Sequence, residues 1–122
     1  MPSTISETRY VIAVPDLAAS ATFYHDVLGF EIREIGDMGW RFFLKDQCFI
    51  MAGECPDAIP PSELGDHSYF AYMVLEGIDA YYEKVVASGA KITKPLRDEP
   101  WEMREFGVRT CDGHRIMFGS PA

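Results

Sequence analysis

One order of elements is written twice in this chain, and a sequence that repeats itself in this way folds as two like halves packed together. The first copy opens with a short β-branched strand, Tyr10 to Val14, which Pro15 and Asp16 stop. Apolar residues then fall at Leu17, Ala21, Tyr24, Val27 and Leu28, one stripe of a helix, with Asp16 as its N-cap and Gly29 just past its end. Three strand-sized runs follow, Phe30 to Ile35, Trp40 to Leu44 and Cys48 to Ala52, divided by the turn formers Gly36 to Gly39 and Lys45 to Gln47. The second copy opens with a strand at Tyr69 to Leu75. Its helix carries Ile78, Tyr81, Tyr82, Val85 and Val86 and stops at Gly89. It ends in strands at Arg104 to Thr110 and His114 to Gly119 around an Asp112-Gly113 turn. Gly29 and Gly89 stand as far apart as Ile32 and Ile92, so the copies are in register there. The stretch Thr93 to Met103, with Pro95, Pro100 and Trp101, lengthens the second.

The organisation expected is one domain over 1–122: a first module over about 9–53, a connector over 54–66 rich in proline, and a second module over about 67–120. A chain of 122 residues can bury roughly 65% of its unfolded surface, so no metal or disulfide is required to hold it. The fold class is α+β, with two β-α-β-β-β units whose sheets form a cup. Each helix can cover only one face of its small sheet, and the other face is where function belongs. Strand alternation assigns Tyr10, Ile12, Val14, Ala71, Met73, Leu75, Ile116 and Phe118 to the helix side. Arg9, Val11, Ala13, Phe70, Tyr72, Val74, Arg115 and Met117 fall on the open face.

Eleven Lys and Arg against nineteen Asp and Glu give a net charge of −8, which repels phosphate backbones and anionic membranes. Neither nucleic acid nor a membrane is an expected partner. Cys48, Cys55 and Cys111 form no even set and no C-x-x-C pair, which reads as reduced thiols in a cytoplasmic protein. No targeting or spanning segment is expected.

Val14-Pro-Asp-Leu-Ala-Ala-Ser-Ala-Thr-Phe-Tyr with Leu28-Gly-Phe, and later Phe106-Gly-Val-Arg-Thr-Cys-Asp-Gly-His-Arg-Ile-Met-Phe, resemble the vicinal oxygen chelate superfamily. That superfamily includes glyoxalase I, extradiol dioxygenases, fosfomycin resistance enzymes and bleomycin resistance proteins. The resemblance spans about Tyr10 to Gly119 and implies a cup of strands, frequently completed by pairing between two chains of a homodimer. It fixes a fold and leaves the activity open.

The resemblance also implies where a divalent metal would be held, at one point on the first and last strand of each module. Those points fall on Arg9, Met51, Phe70 and Met117, none of which offers the imidazole nitrogen or carboxylate oxygen that such ions take. No metal and no cofactor is therefore expected, and metal-dependent glyoxalase or dioxygenase activity is disfavoured. His25, His67 and His114 are expected in surface or capping roles, since they do not readily converge on the open face.

What remains there is large and soft. Met51, Phe70, Tyr72 and Met117, Phe49 in step with Met51, and Trp40 with Phe42 on their own strand would bind an aromatic or amphipathic molecule by burial and stacking. Asp98-Glu99-Pro100-Trp101-Glu102 sets carboxylates around an indole, a place for a cation, and Trp101 joins the candidate set. Packing of these residues into a core or a dimer is the competing use. Arg9 and Arg115 are candidates for an anionic group, and Glu105 for a base or for their neutralisation. The expected function is capture of a small neutral or cationic aromatic molecule in a metal-free cavity, drug sequestration being one form of it. The alternative is a lyase, isomerase or dioxygenase of the glyoxalase type with a displaced metal.

Overall fold

In the computed structural model, which describes residues 3, 5–65 and 68–122, the strands pair as two sheets of four. The first module runs β1 (Tyr10–Val14), α1 (Leu17–Asp26), β2 (Glu31–Glu34), β3 (Trp40–Lys45) and β4 (Cys48–Glu54). After a 3-10 turn at Pro61–Glu63, the second runs β5 (Tyr69–Val74), α2 (Ile78–Ala87), β6 (Lys91–Asp98), β7 (Met103–Arg109) and β8 (Arg115–Pro121). The sheets have the same order, β1-β4-β3-β2 and β5-β8-β7-β6, so the duplication read from the sequence is a duplication of topology. In each, the first strand is parallel to the last and the others are antiparallel.

Helix α1 begins as its sequence dictates. The Asp16 carboxylate accepts from the Ala19 N–H at 3.1 Å, and Gly29 takes φ 79° past the far end. Leu17, Ala21, Tyr24 and Leu28 are buried, and Tyr24 packs on Phe30 and Phe43. Around α2 the counterpart is Phe106, stacked on Phe118 at 5.2 Å and edge-on to Tyr82 at 4.9 Å. Both groups belong to one core. Polar ties cross between modules: Ser20 Oγ donates to Asp112 at 2.8 Å and the Tyr81 hydroxyl to the Leu28 carbonyl at 2.7 Å.

Asp112 is buried, and desolvation holds its carboxyl above the ordinary range despite the Ser20 hydrogen bond. A carboxyl raised on folding contributes stability while protonated and loses that contribution as pH rises through its folded value. Asp112→Asn keeps an acceptor for Ser20 without the charge. Its unfolding free energy is therefore expected to gain on the wild type as pH rises above about 4, the ordinary range of an aspartate, as urea midpoints would record. Parallel profiles for the two proteins would refute this.

Two sequence expectations are corrected. Thr93 to Asp98, part of the stretch that lengthens the second copy and not among the expected strands, is most of β6, 8 residues against 4 in β2; Pro95 is tolerated in this edge strand because an edge leaves one row of backbone groups unpaired. Register shifts lie on both sides of Lys94. Strand β5 also carries a shift between Tyr69 and Ala71, which breaks the alternation that set Phe70 wholly on the open face. Phe70 packs edge-on against the rings of Tyr10 at 6.0 Å and His114 at 5.6 Å.

Candidate functional site

Along β7, Phe106 and Val108 face the core while Glu105 and Gly107 face away from it. Glu105 is nonetheless only 3% exposed. The cover comes from the turn between β6 and β7, closed by Glu99 N–H to Met103 O at 2.8 Å and Glu102 N–H to Glu99 O at 3.1 Å. Glu102 adopts φ 65° there, and the turn folds Trp101 back over the sheet. The Trp101 indole N–H donates to Glu105 Oε1, and the Tyr72 hydroxyl reaches the same oxygen at 3.5 Å. Lys94 Nζ lies 3.3 Å from Glu105 Oε2 and 3.0 Å from Glu99 Oε1. It also stands 5.1 Å from the centre of the Trp101 ring.

These groups edge a cavity of about 470 Å³ walled by Tyr69, Phe70, Ala71, Tyr72 and Met117 together with Lys94, Trp101 and Glu105. Tyr72 lies over Gly119, where a Cβ would collide with its hydroxyl. Desolvation, then the charge of Glu105, holds the Tyr72 hydroxyl above its usual value. Hydrogen bonds from Arg97 and then Lys94 hold the Glu99 carboxyl below its own. The arrangement is an apolar, aromatic basin with one buried carboxylate at its side, suited to a ring carrying a positive or N–H-donating group.

The other candidates occupy the open face of the first sheet. Arg9 stacks over Phe49 at 4.1 Å and pairs with Glu7 at 2.9 Å. Phe49 meets Phe42 at 4.9 Å, and Phe42 is the register partner of Met51. Trp40 lies flat on Gly53, whose added Cβ would stand 2.8 Å from the ring. Gly53 and Gly119 each stand two residues beyond Met51 and Met117, so both sheets hold an aromatic ring against a glycine at the corresponding place.

The expectation that Arg9, Met51, Phe70 and Met117 line one cavity is not met within a chain. Phe70 and Met117 wall the basin of the second sheet, while Arg9 and Met51 lie on the first. Arg115 does not line the basin either: it donates to the Gly65 and Ser62 carbonyls and to Ser68 Oγ, clamping the connector. A strand-end arginine beside a polar connector finds carbonyl acceptors before it finds a ligand. Glu105 neutralises Lys94 rather than Arg9 or Arg115.

His114 departs from its expected surface or capping role. It is buried, and its Nε2–H donates to the Ala13 carbonyl at 2.8 Å, tying the modules together. His25 is exposed beside Asp26, and His67 lies outside the described residues. Arg9, Met51, Phe70 and Met117 do not fit a divalent metal, being engaged as a stacked ion pair, two thioethers and a packed ring. Among the described residues no three His, Cys, Asp or Glu side chains are placed to hold one.

Lys94 was not legible as a site residue. Simple alternation puts it with Ile92 and Leu96 on the core side, and the register shifts flanking it turn it outward. A lysine in step with two core residues, next to Pro95, is the signal of such a bulge.

A second hollow of about 830 Å³ separates the modules, with Lys45, Asp46, Cys48, Met73 and Tyr81 among its walls. Burial pushes the Cys48 thiol up to about 11, and Cys48, Cys55 and Cys111 are all free. No helix among the described residues is long and apolar enough to cross a membrane.

No curated protein matches the chain. Solved structures do. TioX from Micromonospora sp. ML1 is 24% identical with a TM-score of 0.73 over 96% of this chain and 97% of its own. The bleomycin-binding protein of Streptomyces verticillus, solved with copper(II)-bleomycin, is 22% identical with a TM-score of 0.74 over 99% and 100%. The fosfomycin resistance protein FosX of Listeria monocytogenes is 20% identical with a TM-score of 0.75 over 100% and 96%. These likenesses establish the shared α+β fold. A family model matches residues 8–118, and with nearly the whole chain inside it the protein belongs to the glyoxalase/bleomycin resistance protein/dioxygenase superfamily.

Proposed function

We propose that this protein captures a small aromatic or amphipathic molecule, neutral or cationic, without a metal, and that it does so as a homodimer in the reducing cytoplasm. The observation that carries the reading is the basin in which Trp101, Tyr72, Phe70 and Met117 stand around the buried carboxylate of Glu105, paired there with Lys94. Aromatic walls supply area and stacking, and the carboxylate favours a positive end over a negative one. The net charge of −8 works in the same direction by raising the local concentration of cations. The donor chemistry of Arg9, Met51, Phe70 and Met117 weighs against the glyoxalase-type alternative. Drug sequestration is one form of such capture, and the Streptomyces verticillus protein of the same fold is named as bleomycin-binding.

Calorimetric titration with size-matched aryl compounds, one an ammonium and one a carboxylate, at low and high salt tests the reading. The ammonium is expected to bind tighter, by a margin that shrinks as salt rises. Trp101→Ala is expected to weaken it about tenfold to thirtyfold, the cost of removing a central aromatic anchor. Tighter binding of the carboxylate, or an alanine variant that binds as well as the wild type, would overturn it.

A further inference from the structure

We infer that the basin of the second sheet is a cation subsite occupied by the protein's own Lys94, and that a ligand's positive or N–H-donating group enters by taking Lys94's place on Glu105. This rests on the proposed binding function and names the group that the site selects. Three features of a cation site converge on Lys94 Nζ: Glu105 Oε2 at 3.3 Å, Glu99 Oε1 at 3.0 Å and the Trp101 ring at 5.1 Å. A carboxylate pair and an indole face are what an incoming ammonium on an aromatic body would use. Glu105, Trp101 and Lys94 itself line the cavity that the aromatic body would fill.

The design makes displacement easy. Lys94 holds two carboxylates at once, so on leaving Glu105 it keeps Glu99, and its flexible stem allows that movement. Trp101 also has two roles at Glu105, as donor to Oε1 and as the ring beside the ammonium, and it is 58% exposed at the tip of a tight turn. Glu105 without any cation would be a buried charge held only by Trp101 and Tyr72, an expensive state. Lys94 thus keeps the empty basin stable and sets a threshold that a neutral or anionic aromatic does not cross by displacement.

Substitutions at Lys94 and Glu99 then have opposite effects on selectivity. Lys94→Met removes the resident cation, and Glu99→Gln removes its second anchor and ties it to Glu105. The probes are 2-naphthylmethylammonium, 2-naphthylmethanol and 2-naphthoate, titrated into each purified protein after circular dichroism has confirmed its fold. Lys91→Met and Glu83→Gln, exposed charge-matched changes elsewhere, report the effect of net charge alone. Lys94→Met is expected to raise the affinity ratio of ammonium to alcohol about tenfold or more, the worth of a charge-assisted hydrogen bond. Glu99→Gln is expected to lower it, and the controls to change it less than about twofold.

If no probe binds the wild type or Lys94→Met, the aromatic-binding function itself fails and the subsite with it. If the probes bind and neither variant moves the ratio beyond its control, the function stands and the role given to Lys94 is wrong. Should Lys94→Met not fold, the sign of the Glu99→Gln effect decides alone: no decrease beyond Glu83→Gln refutes the displacement.

Discussion

Phe106→Ala is expected to lower the unfolding free energy by about 3–5 kcal/mol, the cost of emptying a fully buried aromatic site. Phe106 is 0% exposed and lies at the centre of the second module's aromatic cluster, with Phe118 at 5.2 Å, Tyr82 at 4.9 Å and Tyr81 at 6.4 Å. None of these rings can collapse into the space without leaving α2 or β8. Since a domain of this size is stable by about 5–15 kcal/mol in all, the loss takes a large share of the total. Urea unfolding measures it as a fall in midpoint at unchanged slope. Val86→Ala, at a 45% exposed position on α2, is expected to change stability by less than about 0.5 kcal/mol. A loss below about 1 kcal/mol at Phe106 would mean the cluster repacks freely. The variant also bears on the site, because Phe106 anchors the stretch of β7 from which the preceding residue, Glu105, faces the basin.

The fold was legible because its signals are short-range and repeated. Asp16, Gly29 and the Leu17 to Leu28 stripe each specify α1 by local chemistry, and the second copy repeats the stripe and its closing glycine at α2. Composition hid β6, where Pro95 and the charged residues around it do not read as a strand, although an edge strand accepts both. The site was half legible. Trp101, Tyr72, Met117 and Glu105 could be found from alternation and from the acidic turn, but Lys94 joins them through the register shifts on both sides of it, and Phe70 leaves strict alternation at the shift after Tyr69. A bulge turns the residues at it out of step with their strand, and period-two reasoning has no means of seeing one. Arg115 and His114 failed for another reason. Their partners include backbone carbonyls, of Gly65 and Ser62 in one case and Ala13 in the other, and carbonyls leave no mark in a sequence.

Val11→Arg is expected to convert a dimer into a monomer without unfolding the chain. In the single chain Val11 is 63% exposed on the open face of β1, beside Met51 on β4, so an arginine there meets water and no neighbour is displaced. The same face carries Phe42, Phe49 and Trp40, and an apolar surface of that kind seldom stays wet in a monomer. The chain exposes 7494 Å², against about 6,600 Å² for a compact monomer of its mass. Pairing the first sheet of one copy with the second sheet of another would cover both and bring Arg9 and Met51 opposite the partner's counterpart of the basin. A symmetric pair uses that contact twice and buries roughly 2,000 Å² or more. An unpaired guanidinium trapped in such an interface costs about 3–5 kcal/mol, a loss of affinity of about 150-fold to 4,000-fold for each of the two contacts. Light scattering is expected to give twice 13.8 kDa for the wild type and for Val86→Arg. Val11→Arg is expected at the single-chain mass, with an unchanged far-ultraviolet spectrum. A wild type that is monodisperse at the mass of one chain would refute the pairing, and with it the idea that the first sheet's aromatic face completes the cup.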